Sequence, residues 1–360
     1  MAKGKGKQRK RIRKRRWDAS DVDTVSRERR RVLGRETGVG SPVDANRRQP
    51  SEYFTLGIQS NAVVVSPYGV LAFVEWRGEE VLCRVDDALT DGKTSILAPG
   101  DHVLVRQEDA ESQPVVIAVV PRASLLSRPA IGRSREQVFA ANVDLLVIAV
   151  AAAHPPPKLG FIDRCLIVAE RGGVEPLICV NKMDLVDTAP PELSVYGEVG
   201  VPSTQVSCKT GLGIGLLREH LQGKRSVLAG HSGVGKTSII NTIDPSVKAA
   251  TQEVSDSTRK GRHTTTTAKL YHLAGGIEII DTPGIKQLGL WQMEPGELDL
   301  YFSEISETAG QCKFRNCKHI HEPQCAVRAA VDSGLIAPAR YASYLRIREA
   351  LFEDNKPVWA

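Results

Sequence analysis

Gly230-His231-Ser232-Gly233-Val234-Gly235-Lys236-Thr237 is the stretch that decides how this chain folds. Its spacing, Gly-x4-Gly-Lys-Thr, lets successive backbone N–H groups wrap phosphates, while the positive end of the following helix faces the anion. Lys236 is placed to reach the β and γ phosphates. The Thr237 hydroxyl, with Ser238 behind it, is placed to ligate Mg²⁺. Ser226-Val227-Leu228-Ala229 runs into the loop as the strand such a loop requires.

Outward from this loop, the companion motifs come in an unusual order. Asn181-Lys182-Met183-Asp184 and Ser207-Cys208-Lys209 precede it, and Asp281-Thr282-Pro283-Gly284 follows it. The ordinary order in GTPases is phosphate loop, DTPG, NKxD, SAK. Opening that circle between DTPG and NKxD, and joining the old ends, gives the order here. The fold expected is therefore a circularly permuted P-loop GTPase domain, a mostly parallel sheet with helices on both faces. Permutation is tolerated because every nucleotide loop sits at the carboxyl end of a strand in one sheet. The termini of a compact domain also lie at its surface, often close together.

Asp184 selects the base, because a carboxylate accepts from guanine's N1–H and exocyclic amine, which adenine does not present. Asn181 is expected to brace that loop and Lys182 to stack its stem on the base, with Ser207, Cys208 and Lys209 alongside. Asp281 is expected to hold Mg²⁺ through water, and the Gly284 N–H to sense the γ-phosphate. Ile285 stands where Ras-like enzymes place a water-orienting Gln. An apolar side chain cannot align water, so intrinsic hydrolysis is expected to be slow. His263, in Gly261-Arg262-His263-Thr264-Thr265-Thr266-Thr267, is the internal candidate to position or deprotonate water; the alternative is a His that only packs. Thr265 is chosen as the hydroxyl that closes over Mg²⁺, although spacing does not separate it from Thr264 or Thr266. Gly233 stands where potassium-activated GTPases carry Asn, so no potassium site is expected.

Charge and pattern divide the rest of the chain. Residues 1–50 carry 17 Lys and Arg against 6 Asp and Glu, a net of +11. Of the totals of 48 and 42, that leaves 31 basic and 36 acidic residues in 51–360, a net of −5. Such a basic, apolar-poor tail is expected to be disordered and suited to phosphate backbones. Within 51–121, short alternating runs such as Val70-Leu71-Ala72-Phe73-Val74, broken at Pro67-Tyr68-Gly69 and Pro99-Gly100, predict five strands and an OB-type β-barrel. Residues 122–289 alternate strand and helix as the GTPase domain, with Leu145 to Val150 and Leu177 to Val180 as continuous apolar strands. Residues 290–360 read as helical, around Cys312-x4-Cys317-x-His319-x5-Cys325. Three thiolates and an imidazole fill a tetrahedral Zn²⁺ shell with no open position; on spacing, His321 is the alternative to His319. Lys313, Arg315 and Lys318 between the ligands make this knob basic and suit RNA. No apolar run approaches the roughly 20 residues of a membrane span. Without a signal-like apolar segment, and with Cys clustered for metal rather than disulfides, the expectation is a cytoplasmic protein with no membrane partner, and a monomer.

Taken together, these motifs resemble the ribosome small subunit-dependent GTPase A family of bacteria. The resemblance covers roughly residues 55 to 355. It rests on the OB-like domain, the permuted order, Gly-x-Ser-Gly-Val-Gly-Lys-Thr, Gly-Arg-His-Thr-Thr-Thr and the cysteine cluster. It implies GTP hydrolysis to GDP, stimulated by the small ribosomal subunit and its 16S rRNA, during late maturation of that subunit. It also implies a catalytic role for His263, and zinc on Cys312, Cys317, His319 and Cys325. The basic tail and His231, where a neutral polar residue is more usual, depart from the family pattern. A different class of function is an RNA-binding scaffold that uses GTP as a structural clamp, a reading kept open by Ile285. The permutation carries a mechanical expectation too: the chain leaves the GTPase domain directly after DTPG and runs into the metal domain.

Overall fold

Alternation of buried and exposed residues builds the first part of the chain into a barrel. β1 (Ala62–Tyr68), β2 (Leu71–Trp76), β3 (Glu79–Val85), β4 (His102–Arg106) and β5 (Val115–Val119) close in the order β1-β2-β3-β5-β4. In β2, Ala72, Val74 and Trp76 point inward while Phe73 is exposed. Only the β3–β5 pairing is parallel; the others are antiparallel. This is the Greek-key closure of an OB-type barrel. The computed structural model describes residues 57, 59–90, 94–129, 136–246, 268–281, 290 and 293–354. The expectations placed on residues 1–50, His263, Thr264 to Thr267, Gly284 and Ile285 lie outside the described residues.

An antiparallel hairpin, β6 (Leu125–Pro129) with β7 (Glu136–Ala141), follows the barrel. Its sequence gives no clear strand signal. Its Leu126, Phe139 and Ala140 are held by packing against the next helix instead. Beyond it, β8 (Leu145–Ala151), β9 (Glu175–Asn181), β10 (Ser203–Gln205), β11 (Arg225–Ala229), β12 (Lys269–Leu273) and β13 (Ile277–Asp281) form a sheet in the order β10-β9-β8-β11-β13-β12. All its pairings are parallel except β12–β13. Helices α1 (Leu159–Gly172), α2 (Ser194–Glu198), α3 (Ile214–Leu221) and α4 (Lys236–Ile243) connect these strands.

All seven residues of β8 are buried, because both faces of the sheet are covered. Leu146, Ile148 and Val150 meet Phe161, Ile162 and Cys165 of α1 on one face. Leu145, Val147 and Ala149 meet Leu217 and Leu221 of α3 and Ile239 and Ile243 of α4 on the other. The barrel is joined to this sheet by polar bonds, of which that from Arg225 to Gly100 is buried. Asn142, in the left-handed region at φ 51, donates to the Gly100 carbonyl at 2.9 Å and accepts from the Ala123 N–H. Arg225 donates to the same Gly100 carbonyl at 3.0 Å and pairs with Glu278 at 2.7 Å.

The remaining helices, α5 (Ser303–Ala309), α6 (Ala326–Asp332) and α7 (Pro338–Asp354), enclose a separate apolar cluster that includes Leu298, Phe302, Val327, Tyr344 and Ile347. Ile167 of α1 reaches into that cluster. Beside it, Arg340 of α7 pairs with the buried Asp163 of α1 and with Glu304 of α5 at 2.7 Å. The Arg340 guanidinium also lies over the Phe302 ring at 4.5 Å. Burial pushes the Asp163 carboxyl up, and Arg340 opposes that shift. Among the described residues no helix is long and apolar enough to cross a membrane.

A buried pair of this kind is most costly when half of it is removed. Arg340→Met is expected to lose about 3–5 kcal/mol, and Asp163→Leu combined with Arg340→Met to regain most of that. Urea unfolding of the two variants checks this; equal stability of both would contradict it.

Candidate nucleotide site and metal centre

The sheet brings the carboxyl ends of β8, β9, β11 and β13 to one edge, so motifs distant in sequence meet there. β11 delivers the loop Gly230 to Gly235, and α4 begins at Lys236. Gly233 and Gly235 adopt φ of 83° and 97°, a region that costs L side chains strain. Contact adds a second constraint at Gly235, where a Cβ would fall 2.3 Å from Asn181 Nδ2. Val234 is buried and anchors the loop in the core. The Lys236 ammonium donates to the carbonyls of Gly230 and His231 at 2.7 and 3.1 Å.

Asn181, 2% exposed at the end of β9, ties three loops together. Its amide donates to the Val234 carbonyl at 3.0 Å, and its oxygen accepts from the Cys208 N–H at 3.4 Å. Lys182 follows in the left-handed region, φ 64, with its ammonium donating to the His154 carbonyl. Met183 is buried, and its N–H reaches the Val206 carbonyl. Asp184 accepts from the Ser207 hydroxyl at 2.6 Å. That bond above all holds its carboxyl below the usual carboxylate range, so the group is an anionic acceptor at neutral pH. Lys209 is 4.0 Å from the other Asp184 oxygen and largely exposed.

His231 packs its ring on Phe161 of α1, with centroids 4.5 Å apart. Burial, followed by Lys158 and Lys236, lowers its pKa, so it adds no positive charge to the loop at neutral pH. Beside it, a cavity of about 270 Å³ is lined by Pro155, Pro157, Lys158, His231, Ser232 and Val234. Thr237 and Ser238 are exposed in the first turn of α4, and Asp281 ends the neighbouring strand β13. The arrangement places the anionic Asp184 carboxylate at one end and the glycine loop with the Lys236 ammonium at the other. Sequence reading did not find the parts played by His154 and Phe161, which carry no motif of their own.

The second constellation lies between α5 and α6. Cys312, Cys317, His319 and Cys325 hold their ligand atoms within 4.8 Å of one another, an arrangement that could hold a metal ion. His319 Nδ1 is 3.5 Å from both Cys312 Sγ and Cys325 Sγ, and those two sulfurs are 3.9 Å apart. His321, the alternative on spacing, is outside the group. Cys325 caps the start of α6, its sulfur accepting from the Arg328 N–H at 3.5 Å. The scattered cysteines are a different kind. Cys83, Cys165 and Cys179 are buried, and burial pushes their thiols up, Cys83 to about 11 and Cys179 to about 12. Alkylation of the native protein at neutral pH is therefore expected to leave these three unmodified until the chain is unfolded, as peptide mass spectrometry would read.

Comparison with known proteins agrees with this architecture. The RsgA GTPase family model matches residues 119–291. A protein of Pseudomonas aeruginosa named small ribosomal subunit biogenesis GTPase RsgA is 40% identical over 306 residues, which cover 83% of this chain and 88% of that protein. The crystal structure of YjeQ from Thermotoga maritima matches with a TM-score of 0.64 and 33% identity, over 83% of this chain and 100% of that one. The structure of YloQ, described as a circularly permuted GTPase, matches at 0.60 and 28% identity, over 83% of this chain and 97% of its own. The strand β11 that bears the phosphate loop comes later in sequence than β9, which bears Asn181 to Asp184, yet both end at one edge of the sheet, and this chain belongs to the RsgA GTPase family and is a circularly permuted GTPase.

Proposed function

We propose that this protein binds the small ribosomal subunit and hydrolyses GTP during late maturation of that subunit, the subunit stimulating turnover and turnover driving release. The observation that carries the reading is the Asn181 brace, which locks the guanine-reading loop to the phosphate loop. A relative 40% identical named for small ribosomal subunit biogenesis supports it. We take the domains as a basic tail at 1–50, the barrel at 51–121, the GTPase domain at 122–289 and a zinc-binding helical domain at 290–360.

In this reading the nucleotide is held by Asn181 to Asp184, Ser207 to Lys209, Gly230 to Ser238, Asp281 and Gly284. Thr237 and Asp281 hold Mg²⁺, Lys236 neutralises phosphate charge, His263 positions water and Thr265 closes over the ion. The cysteine cluster holds zinc. A tetrahedral shell with Zn–S near 2.3 Å and Zn–N near 2.0 Å spaces its sulfurs about 3.8 Å apart, and sulfur from nitrogen about 3.5 Å. The 3.9 and 3.5 Å separations here fit that shell. A closed four-ligand site supplies folding energy to the helical domain rather than chemistry. The compartment in this reading is the cytoplasm, and rRNA is the contact for the barrel, the knob and the tail.

Phosphate release measured with and without small subunits tests the proposal. Stimulation is expected, and its absence at every subunit concentration would refute the proposal. His263→Ala is expected to lower stimulated turnover by about 10²–10⁴-fold with nucleotide affinity little changed; unaltered turnover would remove His263 from the mechanism. Asp184→Asn is expected to weaken GTP binding about ten- to a hundred-fold by removing a charge-assisted acceptor, read by fluorescent-nucleotide titration. Deleting residues 1–16 should weaken subunit binding and flatten its dependence on salt, so an unchanged slope counts against the tail as an rRNA contact.

A further inference from the structure

His319 is held at both ends of its ring, and the two ends are not equivalent. Nδ1 is the nitrogen that faces the thiols, 3.5 Å from Cys312 Sγ and Cys325 Sγ. Nε2 points the other way and lies 3.2 Å from Asp299 Oδ2. Asp299 precedes the first cysteine and sits in a short helical turn, Leu298–Tyr301, on the segment that leads from the GTPase sheet to α5. Its second oxygen accepts from the Tyr344 hydroxyl at 2.6 Å and lies 3.7 Å from Arg348 Nη1. Arg348 in turn donates to the Tyr344 oxygen at 2.9 Å and to the Pro295 carbonyl at 2.8 Å. The backbone of His319 is in the left-handed region at φ 59, uncommon for a residue with a side chain. The Tyr341 hydroxyl bonds its carbonyl there.

We infer that Asp299 is the positioning residue of the metal centre, fixing His319 as a neutral imidazole that presents Nδ1 to the metal and carries its proton on Nε2. The chemistry is that of the carboxylate–histidine–metal triad. A neutral imidazole has one N–H and one lone pair, and an acceptor on one nitrogen decides which is which. It also orients the ring and raises the basicity of the ligating nitrogen. The four ligands are therefore supported from outside Cys312 to Cys325: by the segment leaving the GTPase sheet, through Asp299, and by α7, through Tyr344 and Arg348.

This inference rests on the reading of the cluster as a zinc site, and the experiment separates the two. Zinc affinity of the full chain is measured by competition with a chromophoric chelator, for the wild type, Asp299→Ala and Tyr344→Phe. Asp299→Ala is expected to bind zinc about 10–100-fold more weakly. Its Co²⁺ derivative should keep the spectrum of three thiolates and one nitrogen, because no ligand has been removed. Tyr344→Phe should lose less than Asp299→Ala. Affinity unchanged in Asp299→Ala, or an equal loss in Tyr344→Phe, would overturn the role, the second because Asp299 would then be acting only through the helix packing. Nitrogen NMR of the zinc-loaded wild type needs no variant. A proton on Nε2 with Nδ1 bound to metal supports the assignment, and the reverse overturns it. A wild-type chain that binds no zinc overturns the metal reading itself, and the role of Asp299 with it.

Discussion

The amide of Asn181 is the constraint on which the nucleotide site depends. One side chain, buried at the end of β9, bonds the Val234 carbonyl of the phosphate loop and the Cys208 N–H of the third motif. Each bond is worth about 1 kcal/mol in net stability, but leaving a buried amide unpaired costs more than that. The loops are therefore held together as a set. This explains why the permutation leaves the site intact. Asn181 bonds its neighbours across the sheet and is indifferent to the route by which the chain arrives. Gly235 shows how closely the set is fitted, because even a methyl group there would meet the Asn181 amide.

What the permutation changes is the wiring of the other domains, and here the magnitudes separate firm joints from soft ones. The barrel is held to the sheet by a buried bond from Arg225 to Gly100 and a part-buried one from Asn142 to the same carbonyl, and the helical domain by the buried Asp163–Arg340 pair. These are costly to break. The barrel also touches β12 through Lys269–Glu80 at 3.1 Å and His272–Glu75 at 2.9 Å, all partly exposed. Pairs of that kind contribute about 0–1 kcal/mol. β12 is held by more than these pairs, because the Ser66 hydroxyl of β1 donates to the Ala268 carbonyl at 3.1 Å and Leu270 shares a buried core cluster with Val65 of β1.

Much of this was legible in the sequence because the relevant signals are local. Strand β8 is a run of apolar residues, the phosphate loop is a fixed spacing of glycines, and the cysteine and histidine cluster spans fourteen residues. Alternation in β2 gave the barrel its inside and outside. The hairpin β6–β7 was not legible, since Ser127, Arg128 and Pro129 dilute any strand pattern and its order comes from packing on α1. Likewise, nothing local marks His154 as the acceptor for Lys182, or Phe161 as the platform for His231. Those contacts are created by the return of the chain from β8 into α1. The choice between His319 and His321 was open on spacing; in the fold it is His319, left-handed at φ 59, whose ring lies among the thiols.

Asp299 belongs to the same class of residue, visible only once the chain is folded. It sits among acidic and apolar neighbours with no motif, and its partner lies twenty residues further on. Its position nevertheless follows from the order of domains. In this chain the sequence after DTPG leads into the helical domain, and Asp299 lies against one face of the cysteine and histidine cluster. Here that face carries the outer nitrogen of His319, so an acceptor is required at the point of contact, because a buried imidazole N–H without one would be left unsatisfied. The Tyr344 hydroxyl and Arg348 then share the charge of that acceptor. The cysteine and histidine cluster and the chain leaving the GTPase domain thus meet at one carboxylate, which ties the helical domain to the sheet rather than leaving it an appendage.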